Sequence, residues 1–261
     1  SNTQSMLIPI QSQIQMGDKS LKVDRENVIS QLCDGIGTHN HFVLHGEGGT
    51  GKTAIIKDLF KRFNGEIPIC IRKAQSLNVK SSSDFFRLTN SYSTEQFENA
   101  FCDSDKKVFV IDSAEKIQEI GDTNPLAYLI HMLDKDGWTI IFTVRNVYLN
   151  DLKDELRYTY SLDSKFISVD SITEDELADF TRQLAIMLPE KESFVRRLCN
   201  LFYLNLYIRY YNSIDQKETF DSFFRTVWRE KITGKRTSSG INLKREACFE
   251  EIIKNINIFY K

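Results

Sequence analysis

Nowhere does this chain run to 18 or more consecutive apolar residues, and its N-terminus has no charged segment followed by a greasy one. Those two absences leave no segment that reads as a membrane span or a secretory signal, and they predict a cytoplasmic protein. Charge of one sign is also lacking: 34 Lys and Arg against 36 Asp and Glu give a formal net charge of -2, so the whole chain has no electrostatic reason to seek nucleic acid. Cysteine is scarce. Cys33, Cys70, Cys102, Cys199 and Cys248 are odd in number, widely spaced and mostly set in apolar stretches, which predicts reduced core thiols and not a disulfide framework. His39, His41 and His45 fall within seven residues, but no cysteine or carboxylate completes a zinc pattern around them. No Ser-His-Asp or Cys-His arrangement and no internal repeat is visible. What is present is 261 residues, 41% apolar and 27% charged, enough for a sizeable core in one large or two ordinary domains.

One stretch departs from this ordinary background. Residues 41–55 read HFVLHGEGGTGKTAI, with four glycines among six residues between two apolar runs. Gly46, Gly51, Lys52 and Thr53 fit G-x-x-x-x-G-K-[ST], the pattern of a backbone loop wrapped around a polyphosphate. Its nucleotide-contacting set is Gly46, Glu47, Gly48, Gly49, Thr50, Gly51, Lys52, Thr53 and Ala54. A plain glycine-rich turn is the bland alternative, and the flanking elements decide between them.

Those elements are a strand before and a helix after. His41 to Leu44 is short and apolar, as a strand buried on both faces should be. Ile55, Ile56, Leu59, Phe60 and Phe63 form a helical stripe that stops at Asn64-Gly65. A helix N-terminus with free N–H groups is an anion site, so the loop lies where a phosphate cradle requires. Upstream, Val28, Ile29, Leu32 and Ile36 place a helix over 25–36. Further strands are expected at Ile67 to Ile71, Lys107 to Ile111, Thr139 to Val144 and Phe166 to Val169. Helices separate them: Ser93 to Gln96 reads as a capping box, and Asn124-Pro125 as an N-cap followed by an N1 proline. From the second capping box, Thr173 to Glu176, the sequence is helical, with Phe220, Phe223, Phe224, Val227 and Trp228 on one face. The expected fold is therefore an α/β P-loop NTPase three-layer sandwich with a parallel five-stranded sheet, followed by an all-helical lid domain. The domain boundaries read as an N-terminal extension over 1–20, whose Ser1 to Ser5 have the look of a cloning remnant, a nucleotide-binding domain over 21–171 and a helical domain over 172–261.

Four side chains carry candidate chemistry. Asp112 ends an apolar strand, Lys107 to Ile111, close to the phosphate-binding helix, where with Thr53 it suits a hydrated Mg²⁺; the alternative is a helix cap. Glu115, three residues on, is either the carboxylate that activates water or an exposed glutamate in a first helical turn. Lys52 is placed to neutralise β and γ oxygens as charge moves. Arg145 ends the strand expected beside the loop strand, and it reads either as a γ-phosphate contact or as a surface arginine. Separately, Arg225, Arg229, Lys231, Lys235, Arg236, Lys244 and Arg245 form a basic stretch, either a solvated face or a contact with nucleic-acid phosphates.

With these residues in view, the chain resembles the P-loop NTPases of the STAND class, which include NACHT and NB-ARC modules and are related to AAA+ proteins. GEGGTGKT at Gly46 to Thr53 is the phosphate loop, and VFVIDSAEK at Val108 to Lys116 resembles the metal-binding strand, with Asp112 and Glu115 where NACHT modules have D-x-x-D. IIFTVRN at Ile140 to Asn146 is similar to the T-x-R sensor strand. KVDRENVISQL resembles a segment near the adenine in that class, which makes Asp24 and Arg25 candidates for the base-side pocket, and FISVDSITEDELADF resembles the link into a helical lid. The departures are a missing G-x-P motif around LCNLFYLNLYI, Ser113 in place of an adjacent Asp-Glu pair, no nameable arginine finger and no winged-helix or sensor domain. The resemblance implies bound ATP or ADP with Mg²⁺, slow hydrolysis, and a switch that oligomerises when a protein or nucleic-acid trigger acts, in bacteria often for antiviral defence. It also implies a module of a larger protein. The alternative is an AAA+ ATPase of the origin-recognition or transposition-helper kind, which binds DNA.

Overall fold

The computed structural model describes residues 2–38, 41–86 and 93–233, with side chains described through residue 227. Two compact units divide at Ile172 and Thr173. In the first, β3 (His41–Gly46), β4 (Ile69–Lys73), β5 (Val108–Asp112), β6 (Thr139–Arg145) and β7 (Lys165–Ser168) form one sheet in the order β4-β5-β6-β3-β7. Each neighbouring pair is parallel. A parallel sheet of this kind needs helices on both faces, and alternation along the strands supplies the two apolar surfaces. Phe42 and Leu44 point to one side with Ile141, Val110 and Ile71, packed under α2 (Glu26–Gly35) and α3 (Lys52–Phe63) through Leu32, Ile55, Ile56 and Leu59. Val43, Phe109, Ile111, Phe142 and Val144 point to the other, against the helices Asn124–Lys135 and Leu149–Tyr158 and the buried Trp138. The result is the expected three-layer P-loop NTPase sandwich with a parallel five-stranded sheet, followed by helices. On the first face α2 lies so close to the sheet that a Cβ on Gly35 would meet Phe42 Cζ at 2.2 Å, so only glycine fits there.

Several boundaries differ from the sequence reading, each for a local reason. The strand placed at Ile67 starts at Ile69, because Pro68 has no N–H for the ladder and serves only through its carbonyl, which accepts Val108 N–H at 2.9 Å. The expected N-cap Asn124 is the first helical residue; Asp122 Oδ1 accepts its N–H at 3.0 Å, which moves the cap upstream. Residues 1–20, expected as an extension, pack on the domain. α1 (Asn2–Leu7) lies on β4, where Thr3 Oγ1 accepts Ile71 N–H at 3.3 Å and Leu7 enters the core. A short hairpin, β1 (Ile14–Met16) with β2 (Lys19–Leu21), follows it and buries Ile14 and Leu21. Cys102, expected in the core, is exposed, since it caps the helix Thr94–Phe101 and does not sit on its apolar side; Cys33, Cys70 and Cys199 are half-buried free thiols. Cys248 and His39 lie outside the described residues.

Both capping boxes are formed, Ser93 with Gln96 and Thr173 with Glu176. Asn64 closes α3 in the left-handed conformation, at φ 43°. The second unit comprises the helices Glu174–Leu184, Glu192–Leu198, Leu201–Arg209 and Phe220–Thr233. Its core is aromatic: Phe194 lies 5.1 Å from Phe223 and 5.7 Å from Tyr207, ring centre to ring centre, and all three are fully buried. Phe223 and Val227 are buried from the stripe expected on the last helix, while the Trp228 side chain is outside the described residues. No helix among the described residues is long and apolar enough to cross a membrane.

Candidate functional site

The residues predicted to carry chemistry meet at the carboxyl ends of β3, β5 and β6, the edge of a parallel sheet where ligands bind in open α/β folds. β3 ends at Gly46, hydrogen-bonded in register beside Arg145 of β6. A Cβ on Gly46 would lie 2.3 Å from the Val169 carbonyl oxygen, so glycine lets the loop leave the sheet hard against β7. The loop then turns through Gly49 at φ 88° and Gly51 at φ 94°, two positions that side-chained residues rarely adopt, and enters α3 at Lys52. Thr50 is fully buried and its hydroxyl donates to the Glu47 carbonyl at 3.1 Å, which pins the loop to itself. No side chain caps α3, so its first N–H groups face the loop interior.

Inside that loop lies the Lys52 ammonium, donating to the Gly46 and Glu47 carbonyls at 2.8 Å each. Burial holds its pKa below the ordinary lysine value, with Arg145 acting in the same direction and the carboxylates of Glu115, Glu47 and Asp112 opposing. For a partly desolvated cation held by two neutral carbonyls, a charged phosphate oxygen is a better partner than the carbonyls it would replace.

Asp112 is the last residue of β5 and is buried. Its Oδ1 accepts from Thr53 Oγ1 at 3.3 Å and from Thr143 Oγ1 at 2.7 Å. Two hard oxygens, the Thr53 hydroxyl and the Asp112 carboxylate, thus stand in contact beneath the phosphate loop. This is the oxygen chemistry that a magnesium nucleotide requires from protein, since Mg²⁺ keeps waters and phosphates as its other ligands. The donor set fits ATP with Mg²⁺. Asp112 is no helix cap, for Ser113 follows it at φ 60° and the next turn, Ala114–Glu119, is a 3₁₀ helix without a side-chain cap.

Glu115 in that turn is not the exposed first-turn glutamate that one reading allowed. Its side chain is 8% exposed, its Oε1 lies 3.4 Å from Arg145 Nε, and its Oε2 is buried without a partner among the described residues. An orphaned carboxylate oxygen at such a place suits a water held for attack. Arg145 is 61% exposed and flanks the loop: a Cβ on Gly48 would come within 3.8 Å of its Nε. Arg25 reaches the loop from behind, with Nη2 donating to the Asp170 carbonyl at 2.7 Å and to the Thr50 carbonyl at 3.5 Å. Asp24 lies beside it, with Oδ1 accepting Glu26 N–H at 2.9 Å at the start of α2. The fold therefore gathers Gly46 to Ala54, Asp112, Glu115 and Arg145, and brings Arg25 to the loop's back. His45 and His41, in contrast, are spent on Asn146, at 2.9 Å, and on Asp134, at 3.2 Å.

Thr143, the threonine of the T-x-R spacing, received no role of its own from the sequence; it stands two positions before Arg145, on the same face of β6.

Comparison with known proteins agrees with this geometry. Residues 42–166 match the family described as "ATPase family associated with various cellular activities (AAA)". No curated protein matches the sequence. Among solved structures, the Walker-type ATPase of Pyrococcus abyssi superposes at a TM-score of 0.57 with 14% identity, over 88% of this chain and 78% of that one. The Aeropyrum pernix ORC1 protein in complex with DNA gives 0.52 at 12% identity, over 92% and 79%. The replication initiator DnaA bound to AMPPCP and single-stranded DNA gives 0.50 at 12% identity, over 79% and 65%. At such identities the likeness establishes the fold, and the sequence match over residues 42–166 is a similarity to the AAA family.

Proposed function

We propose that this protein binds ATP with Mg²⁺ and hydrolyses it slowly, using the nucleotide to change its state of assembly. One observation carries the reading: a half-buried lysine inside a glycine loop stands next to a threonine hydroxyl in contact with a strand-end aspartate. Lys52 and the α3 amides hold the β and γ phosphates, and Thr53 and Asp112 hold the metal. Bound Mg²⁺ supplies neutralisation of phosphate charge. Glu115 takes the proton of the attacking water at a carboxylate oxygen, and Arg145 contacts the γ-phosphate. Because Glu115 and Arg145 face each other, a γ-phosphate that draws Arg145 away releases Glu115 for the water.

Of the two finer readings, the DNA-associated AAA+ ATPase is the better supported. The family match is to AAA, and two of the similar structures, the ORC1 protein and DnaA, are complexes with DNA. The STAND signalling switch rests on sequence resemblance, in the D-x-x-E and T-x-R spacings, the KVDRENVISQL segment and the FISVDSITEDELADF link, and stands second.

Denaturing the purified protein and identifying the nucleotide it releases tests the core of this reading. ADP or ATP should come from the wild type and not from Lys52→Ala. An ATP dissociation constant that Lys52→Ala leaves unaltered would sink it.

A further inference from the structure

We propose that Thr143 is a positioning residue for metal-dependent turnover, in which one hydroxyl fixes both the carboxylate that meets the metal and the turn that presents the carboxylate that meets the water. This inference rests on the ATPase reading above.

Thr143 is 2% exposed on β6, and its hydroxyl is used twice: it donates to Asp112 Oδ1 at 2.7 Å and accepts Ser113 N–H at 2.9 Å. A β-branched side chain on a strand has little χ1 freedom, so the hydroxyl is a fixed point and not a rotor. The first bond stops rotation of the Asp112 carboxylate while Oδ1 also faces Thr53 Oγ1, at 3.3 Å. The second acts on the backbone. Ser113 sits at φ 60°, ψ 53°, a left-handed conformation unusual for a residue other than glycine, and such residues persist only where their surroundings hold them. From Ser113 the chain enters Ala114–Glu119, which delivers Glu115 into its nearly buried place opposite Arg145. Arg145 lies two residues beyond Thr143 on β6, so one strand face fixes Asp112, Ser113 and Glu115 together. A threonine that merely satisfied a strand-end amide would need no bond to the carboxylate, and the bond to Asp112 is the shorter of the two.

The two roles part experimentally at the metal. Mn²⁺ serves as the probe, its binding to the ADP-loaded chain being followed through the electron paramagnetic resonance signal of the free ion. Thr143→Val should weaken Mn²⁺ binding by about 10- to 100-fold, the usual consequence of removing a partner that orients a metal ligand, and leave ADP affinity in the presence of chelator unchanged. Thr143→Ser, which keeps the hydroxyl, should restore Mn²⁺ affinity to within about threefold of wild type. Wild-type Mn²⁺ affinity in Thr143→Val overturns the proposal. Hydrogen exchange at the Ser113 amide decides the matter should the valine chain not fold. That amide should be protected in the wild type, and exchange as fast as in an open loop overturns the proposal. A wild type that binds neither ADP nor Mn²⁺ with ADP overturns the ATPase reading itself, and this inference falls with it.

Discussion

At the scale of single residues, the site holds one carboxylate buried for a purpose that packing does not explain. Glu115 Oε2 is enclosed without a hydrogen-bond partner among the described residues, which costs about 1–3 kcal/mol for a neutral group and more for a charged one. Such a group calls for an explanation, and a water or ligand bound at the site supplies one. Glu115→Gln keeps the shape and removes the basicity, so ATP binding should stay within a few-fold while kcat falls by about 10²- to 10⁴-fold, the usual share of general base catalysis. Calorimetric titration with ATP and a phosphate-release assay on the same preparation check this, and unchanged turnover removes Glu115 from its role. Arg145 should behave differently. On the proposed role, Arg145→Ala frees Glu115 but loses a γ-phosphate contact, so it should weaken ATP more than ADP. Equal loss for both nucleotides would mean that the guanidinium never reads the γ-phosphate.

At the scale of elements, the histidine at the other end of β3 sets a pH dependence separate from catalysis. His41 is 4% exposed, with Nε2 3.2 Å from Asp134 Oδ1 on the helix Asn124–Lys135. Burial holds its pKa below the ordinary value, against the opposing pull of Asp134 and Asp163. The unfolded chain, with an ordinary histidine near pH 6.5, therefore takes up a proton that the folded chain does not yet accept. Below that pH the unfolded state binds more protons, and stability falls as pH falls, by at most about 1.4 kcal/mol per pH unit from this one group. Urea midpoints of the first unit measured at pH 7.5, 6.5 and 5.5 should decline, and His41→Gln should flatten the decline; parallel curves would assign the effect elsewhere.

The same scale shows what was legible in the sequence. The five strands and their covering helices were readable because buried parallel strands are short apolar runs and helices repeat every three to four residues. The phosphate loop was readable because its geometry needs glycine at fixed places. The strand ends slid where an apolar residue preceded a proline, as at Ile67 and Pro68. α1 was missed because six residues show no period, and its anchors, Thr3 on Ile71 and Leu7 in the core, are long-range. The hydroxyl of Thr143 on Asp112 spans 31 residues of chain, and no local pattern announces it.

At the scale of the whole molecule, the remaining question is whether the proposed ATPase serves DNA. The net charge of -2 offers no general attraction, so any affinity must come from a local surface. Between Arg225 and Arg245 the sequence has seven basic residues against the single acid Glu230. Arg225 is exposed on the last described helix, and the other side chains of the stretch lie outside the described residues. Were this stretch to neutralise about four phosphates, raising salt from about 50 to 200 mM should weaken duplex binding by roughly 10²-fold, and single-strand binding somewhat less. Reversing two of the charges, in Lys235→Glu with Arg236→Glu, should weaken DNA of every sequence alike and make the salt dependence shallower, because phosphate contacts carry no base information. ATP affinity should be unaffected by the same pair, since the phosphate loop is built from residues 46–54. Fluorescence anisotropy with a labelled duplex at both salt concentrations, with and without ATP, measures all of this. If no duplex binds at low salt in either nucleotide state, the origin-recognition reading is lost, and ATP-dependent assembly, followed by sedimentation, becomes the property by which the signalling-switch reading stands or falls.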